Sequence, residues 1–150
     1  MTAKEFLSQA YRLEQRIRSK LQQIESIRSL AETVTTSYGS EVVSRTRNVH
    51  SLEDAIVKLT EAETELGTQI STLIKTKTAI GEVIDQVHIE SCRLILEKRY
   101  LCYMDWTRIA AELNYSERWV MRQHRRGLDA VNAILKKNDE SVQSSSVKFS

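Results

Sequence analysis

Proline is absent from this chain of 150 residues, and glycine occurs only four times. The residues that stop helices and shape tight turns are thereby almost missing. Three of the glycines, Gly67, Gly81 and Gly127, interrupt patterns that otherwise read as helix. An all-α fold is the expectation. With 41% hydrophobic and 28% charged residues the composition suits one ordinary domain or two small helical modules rather than a disordered chain. The opening MTAKEFLSQAYRLEQ has no apolar leader core, and no stretch approaches the roughly 20 apolar residues of a membrane span. A soluble, cytoplasmic protein with no membrane partner is expected. Cys92 and Cys102 are too few for a disulfide framework, and on one helix they would stand about 15 Å apart, beyond bridging distance. His50, His88 and His124 lack zinc-ligand spacing, so neither a metal nor any other cofactor is expected.

The N-terminal part, residues 1–89, reads as two long helices. Thr2 and Glu5 stand in the order of a capping box, in which each side chain satisfies a backbone N–H left free at a helix start. Phe6, Ala10, Leu13, Ile17, Leu21, Ile24, Ile27 and Ala31 then form one apolar stripe at helical spacing. Periodicity fails over residues 35–48, which read as a loop. Ser51 with Asp54 offers a second cap. Beyond it Leu52, Leu59, Leu66, Leu73, Ile80 and Val87 recur at every seventh position, one seam of a coiled coil. The companion seam is expected four residues on, at Ile56, Glu63, Ile70, Lys77 and Ile84, where Glu63 and Lys77 would restrict register and partner. Gly67 and Gly81 would mark a bend or close packing. Two such helices joined by a polar loop fold back most simply as an antiparallel hairpin, able to pair with a second copy of the chain. Neither helix arranges paired carboxylates or a nucleophile with its base.

Residues 90–137 change pattern to three shorter helical segments, and residues 138–150, rich in serine and without periodicity, read as a disordered tail. SCRLILEKRYL begins the module; Asp105 caps WTRIAAEL; Asn114 and Tyr115 make a break; Ser116 caps a third segment beginning ERWVMRQH. A short helix, a tight turn and a basic helix outline a helix-turn-helix. Between Glu90 and Lys137 lie ten basic and six acidic residues, so the basic excess of the chain is concentrated here.

Projecting the third segment at about 100° per residue places His124, Gly127 and Val131 near the direction of Val120, and Arg118, Arg122 and Arg125 on the opposite side. An amphipathic helix needs a polar face in any case. This face carries no acid between Arg118 and Leu128, uses arginine rather than lysine, and begins at a capped start. Guanidinium groups grip phosphates and guanine edges in a bidentate manner that ammonium groups cannot, so double-stranded DNA is the expected partner.

The run RYL at 99–101, W-x-x-I-A-x-x-L from Trp106 to Leu113 and Y-S-x-R-x-V-x-R-x-H from Tyr115 to His124 resemble region 4 of bacterial sigma factors, a helix-turn-helix. With the opening MTAKEFLSQAYRLEQRI and the segment RNVHSLEDAI, residues 1 to about 135 resemble the phage-encoded transcriptional regulators of the RinA and ArpU type. The resemblance implies base contacts from Glu117, Arg118, Met121 and Arg122, and backbone contacts from Arg108, Ser116, Arg125 and Arg126. Met121 stands where such modules often have arginine, and Trp119 is unusual, so the DNA sequence preferred would differ from a housekeeping promoter. Ile109, Ala110, Leu113, Val120 and Leu128 would pack the two helices together, with Trp106 and Tyr100 in the core.

The function expected is a sequence-specific regulator of phage late or packaging genes, acting in the cytoplasm of a bacterial host and not an enzyme. Two alternatives stay open. One is a small terminase-like subunit that marks DNA for packaging, against which the C-terminal position of the DNA-binding part argues. The other is an adaptor that binds RNA polymerase and has no affinity for DNA.

Overall fold

The computed structural model describes residues 1–36 and 42–147, with side chains described for residues 1–33 and 50–146. The order is α1 (Ala3–Leu7), α2 (Gln9–Thr36), α3 (Val42–Asp85), α4 (Glu90–Leu96), a π-helical segment (Glu97–Leu101), α5 (Trp106–Leu113) and α6 (Glu117–Val147). The chain is all-helical, with no strand among the described residues. None of these helices is long and apolar enough to cross a membrane.

Two compact units divide the chain, Met1–Arg12 with Ile74–Ser150, and Leu13–Leu73. The first residues thus group with the C-terminal part. The cause is local. The capping box forms as read, Thr2 Oγ1 accepting from Glu5 N and Glu5 Oε2 accepting from Thr2 N, each at 3.2 Å. It starts only a short helix. At Ser8 the backbone turns and its N–H bonds back to the carbonyl of Lys4. This turn leaves Ala3 and Leu7 fully buried, and Ala3 N donates to Asn132 Oδ1 on α6 at 2.7 Å.

The same unit buries the end of α3 through Ile80, Val83 and Ile84, the connection after it through Val87, and α4 through Cys92, Ile95 and Leu96. Gly127 of α6 lies against Leu96, where an added Cβ would meet the leucine side chain at 3.1 Å. Close packing therefore belongs to Gly127; around Gly67 and Gly81 an added Cβ would meet nothing within 4 Å. Cys92 is buried and Cys102 exposed, both free thiols.

In the unit Leu13–Leu73, Ile17 and Ile24 of α2 are buried, but Leu21 is 48% exposed and Lys20 is half-buried in its stead. On α3 the leucine line holds, with Leu52, Leu59, Leu66 and Leu73 half-buried. Its companion line is not the expected one. Ala55 and Ala62 are buried and Gln69 half-buried, three residues on from the leucines, whereas Ile56 and Ile70 are 52% and 40% exposed. Charge accounts for the choice. Burying the expected line would take Glu63 out of water, and an unpaired buried charge costs several kcal/mol. Exposed, Glu63 pairs with Arg28 of α2 at 3.2 Å, and Glu65 pairs with Lys20 at 3.0 Å.

Helix also extends beyond the limits read from the sequence. α3 begins at Val42 rather than at Ser51, since no glycine or proline stands between residues 42 and 66 to stop it. Of the loop expected over 35–48, residues 37–41 lie outside the described residues. The tail expected from residue 138 is helical as far as Val147, with residues 138–146 exposed. Its serines bond back along the helix, Ser141 to Lys137 O at 3.0 Å and Ser145 to Ser141 O at 3.0 Å, in place of the turns they would otherwise favour. Residues 148–150 lie outside the described residues.

Candidate nucleic-acid interface

α5 starts where its cap was read. Asp105, in extended conformation, accepts from Arg108 N at 2.8 Å. It ends at Asn114, whose left-handed φ of 58° is one that asparagine tolerates better than most residues. Tyr115 N bonds to Ala110 O at 3.1 Å, and Ser116 Oγ then accepts from Trp119 N at 3.1 Å, capping α6. The Ser116 hydroxyl is thus engaged in the cap. Ile95, Met104, Ile109, Ala110 and Val120 form the core beneath this turn, with Trp106, Leu113 and Trp119 partly buried against it.

Along α6 the expected back is inside: Val120, His124, Gly127 and Val131 are all buried. Gln123, not singled out from the sequence, is buried beside them. Its Oε1 accepts from Ser91 Oγ at 3.4 Å, Cys92 Sγ at 3.5 Å and Arg126 Nη1 at 3.4 Å.

The opposite face is open. Arg118, Arg122 and Arg125 are exposed and, with half-buried Met121, line a shallow groove. None of these three, nor Arg126, makes an ion pair among the described residues. Arg108, on α5, differs. Its Nε lies 3.5 Å from Glu112 Oε1, while Lys98 Nζ lies 2.9 Å from Glu112 Oε2. The hydrogen bond from Lys98 and the charges of Lys98 and Arg108 hold the Glu112 carboxyl below the usual carboxylate range. Glu117 is exposed and accepts from Thr107 Oγ1 at 2.7 Å.

Behind the basic face the π-helical segment resets the direction of two side chains. Tyr100 turns inward, its hydroxyl 2.7 Å from His124 Nε2. Arg99 lies with its guanidinium 4.6 Å from the Trp106 ring centroid and donates to Met104 O at 3.0 Å. Such i to i+5 hydrogen bonding, here Cys102 N to Glu97 O at 3.1 Å, often accompanies functional sites. Burial pushes the His124 pKa down to about 4, with Arg99, Lys4 and Arg125 adding to the effect. Burial also raises the Tyr100 pKa, against an opposing pull from Arg99.

Of the residues selected from the sequence, the structure brings Arg118, Met121, Arg122 and Arg125 together on one open face and sets Glu117 at its head. Arg126 lies at the flank beside Gln123, and Arg108 is drawn toward Glu112. Thr107, and the stack of Tyr115 on Trp119 with centroids 3.9 Å apart, carried no sequence signal of their own. Compared with family models, curated proteins and solved structures, the chain matches none.

Proposed function

We propose that the chain is a sequence-specific DNA-binding regulator of transcription, without catalysis of its own, in which α5, the turn at Asn114 and α6 act as a helix-turn-helix. The observation that carries this reading is the face of Arg118, Arg122 and Arg125, exposed and free of ion pairs among the described residues. Leaving several guanidinium groups unpaired on one face favours a polyanion, and α6 is of a size and shape that a major groove admits. The first turns of the recognition helix present Glu117, Arg118, Met121 and Arg122 to base edges. Arg108, Arg125 and Arg126, with the capped backbone at Ser116, hold the sugar-phosphate strands.

On this reading α2 and α3 form an antiparallel hairpin, supported by the pairs Lys20–Glu65 and Arg28–Glu63, whose order reverses along the two helices. Leu21, Ile56 and Ile70, left exposed, provide a surface for a second copy of the chain, so that two recognition helices meet two half-sites. The likeness of residues 99–124 to sigma region 4 supports a contact with RNA polymerase, and the likeness to RinA- and ArpU-type regulators supports phage late or packaging genes as targets.

The test is capture of genomic fragments by the full chain, followed by sequencing. Enrichment of a discrete site upstream of a structural or packaging operon is expected. Capture of no fragment even at low salt would overturn the reading.

A further inference from the structure

Glu117 is the first residue of α6 and the only acid between Glu112 and Asp129. A flexible carboxylate so close to Arg118 and Arg122 would be expected to fold onto a guanidinium. It does not: Glu117 makes no ion pair among the described residues and accepts from the hydroxyl of Thr107, ten positions earlier on α5, at 2.7 Å. The bond crosses the turn and occupies Oε1, leaving Oε2 to accept from another group. Its contribution to stability is small, since an exposed hydrogen bond exchanges one partner for water, and Ser116 already caps the helix. Its geometric effect is larger. The hydroxyl fixes where the carboxylate points and keeps its negative charge at the head of an otherwise basic face.

We infer that Thr107 is a positioning residue for Glu117, and that the pair makes one position of the bound DNA select a base offering an amino group in the major groove. This rests on α6 acting as the recognition helix. In that groove cytosine presents N4–H and adenine N6–H as donors, whereas guanine and thymine present acceptor oxygens that a carboxylate repels. The same charge repels phosphates, so Glu117 also weakens binding to DNA in general. Discrimination thereby improves twice, by attraction to the right base and by a penalty on every other placement.

Selection from randomised duplexes by the full chain tests this, with Glu117→Ala, Glu117→Gln, Thr107→Val and Thr107→Ser beside the wild type. The wild type should favour cytosine or adenine at one position. Glu117→Ala should flatten that preference by at least about fivefold, leaving other positions unchanged, and bind random duplex more tightly. Thr107→Val should flatten the same position with an unchanged melting temperature, and Thr107→Ser, which keeps the donor, should restore it. Should Thr107→Val also lower the melting temperature, the Glu117 pair decides, because neither glutamate variant removes a buried group. Unchanged preferences at every position in Glu117→Ala and Glu117→Gln would overturn the inference while the DNA-reading role stood. A wild type that selects no sequence would overturn both.

Discussion

At His124 the imidazole sits against the edge of Trp106, ring centroids 4.5 Å apart, and alongside the Tyr100 ring, with the phenol oxygen 2.7 Å from Nε2. With the His124 pKa down to about 4, the ring is neutral near pH 7. A neutral ring carries one N–H and one acceptor nitrogen, and the phenol can both donate and accept, so the pair hydrogen-bonds with either tautomer. Unfolded, the imidazole binds a proton near pH 6.5. Between that value and about 4 the unfolded chain holds more protons than the folded one, so stability rises with pH across this window. The contribution is complete above the unfolded value and is lost as pH falls toward the folded one, on the order of 3 kcal/mol in all. Glu112, whose pKa is lowered, loses its pairing only at more acid pH. Urea unfolding of His124→Gln, whose amide can donate to or accept from Tyr100 but cannot titrate, should lack the wild-type fall in midpoint between pH 6.5 and 4.5. Parallel curves for the two proteins would mean that His124 does not carry the dependence.

Among the elements, α3 shows why a strong pattern can still leave a choice. Leucine at every seventh position defines one line but permits companions three or four residues on, and the large Ile56 and Ile70 favour the latter on hydrophobicity alone. Ala55 and Ala62 are buried instead, because small side chains let α2 approach while Glu63 stays in water. Ala62→Leu should therefore overpack the interface and cost about 1 to 3 kcal/mol. Ile70→Gln, at an exposed site, should change the stability of the chain by less than about 0.5 kcal/mol and, on the proposed pairing of two copies, weaken that pairing. Thermal unfolding and sedimentation read the two effects separately; the reverse ranking would restore the line through Ile56 and Ile70.

Other elements divide by whether their cause is local. The caps Thr2, Asp105 and Ser116 and the buried side of α6 were legible, since each depends on residues within a turn or two. The turn at Ser8 and the π-helical segment were not. The first accompanies burial of Ala3 and Leu7 with a bond to Asn132, the second packing of Tyr100 against His124, and both involve partners distant in sequence.

For the molecule as a whole, the unit that contains α6 also contains the first twelve residues and the end of α3. The candidate DNA-reading surface therefore belongs to a unit assembled from segments distant in sequence. Within it Ala3, Leu7, Ile80, Ile84, Val87, Val120 and Val131 are all buried. A surface fixed on a buried core of Ile95, Met104, Ile109, Ala110 and Val120 can assign different work to neighbouring arginines. Arg122 is exposed within the first two turns of α6 and makes no ion pair among the described residues, so it is free to enter a groove. Arg126, a turn further on, is drawn to Gln123 Oε1 at 3.4 Å, on the flank where a phosphate is the nearer target. Arg122→Ala should accordingly cost about 1 to 3 kcal/mol on the selected site and much less on random duplex. Arg126→Ala should weaken both alike and lower the slope of log affinity against log salt by about one. Titrations of both variants on selected and random duplexes across a salt series separate the two roles. Equal losses on both duplexes for Arg122→Ala would make it a phosphate contact, and sequence reading would then fall to Arg118 and Glu117, the remaining groups at the head of α6 able to pair with a base edge.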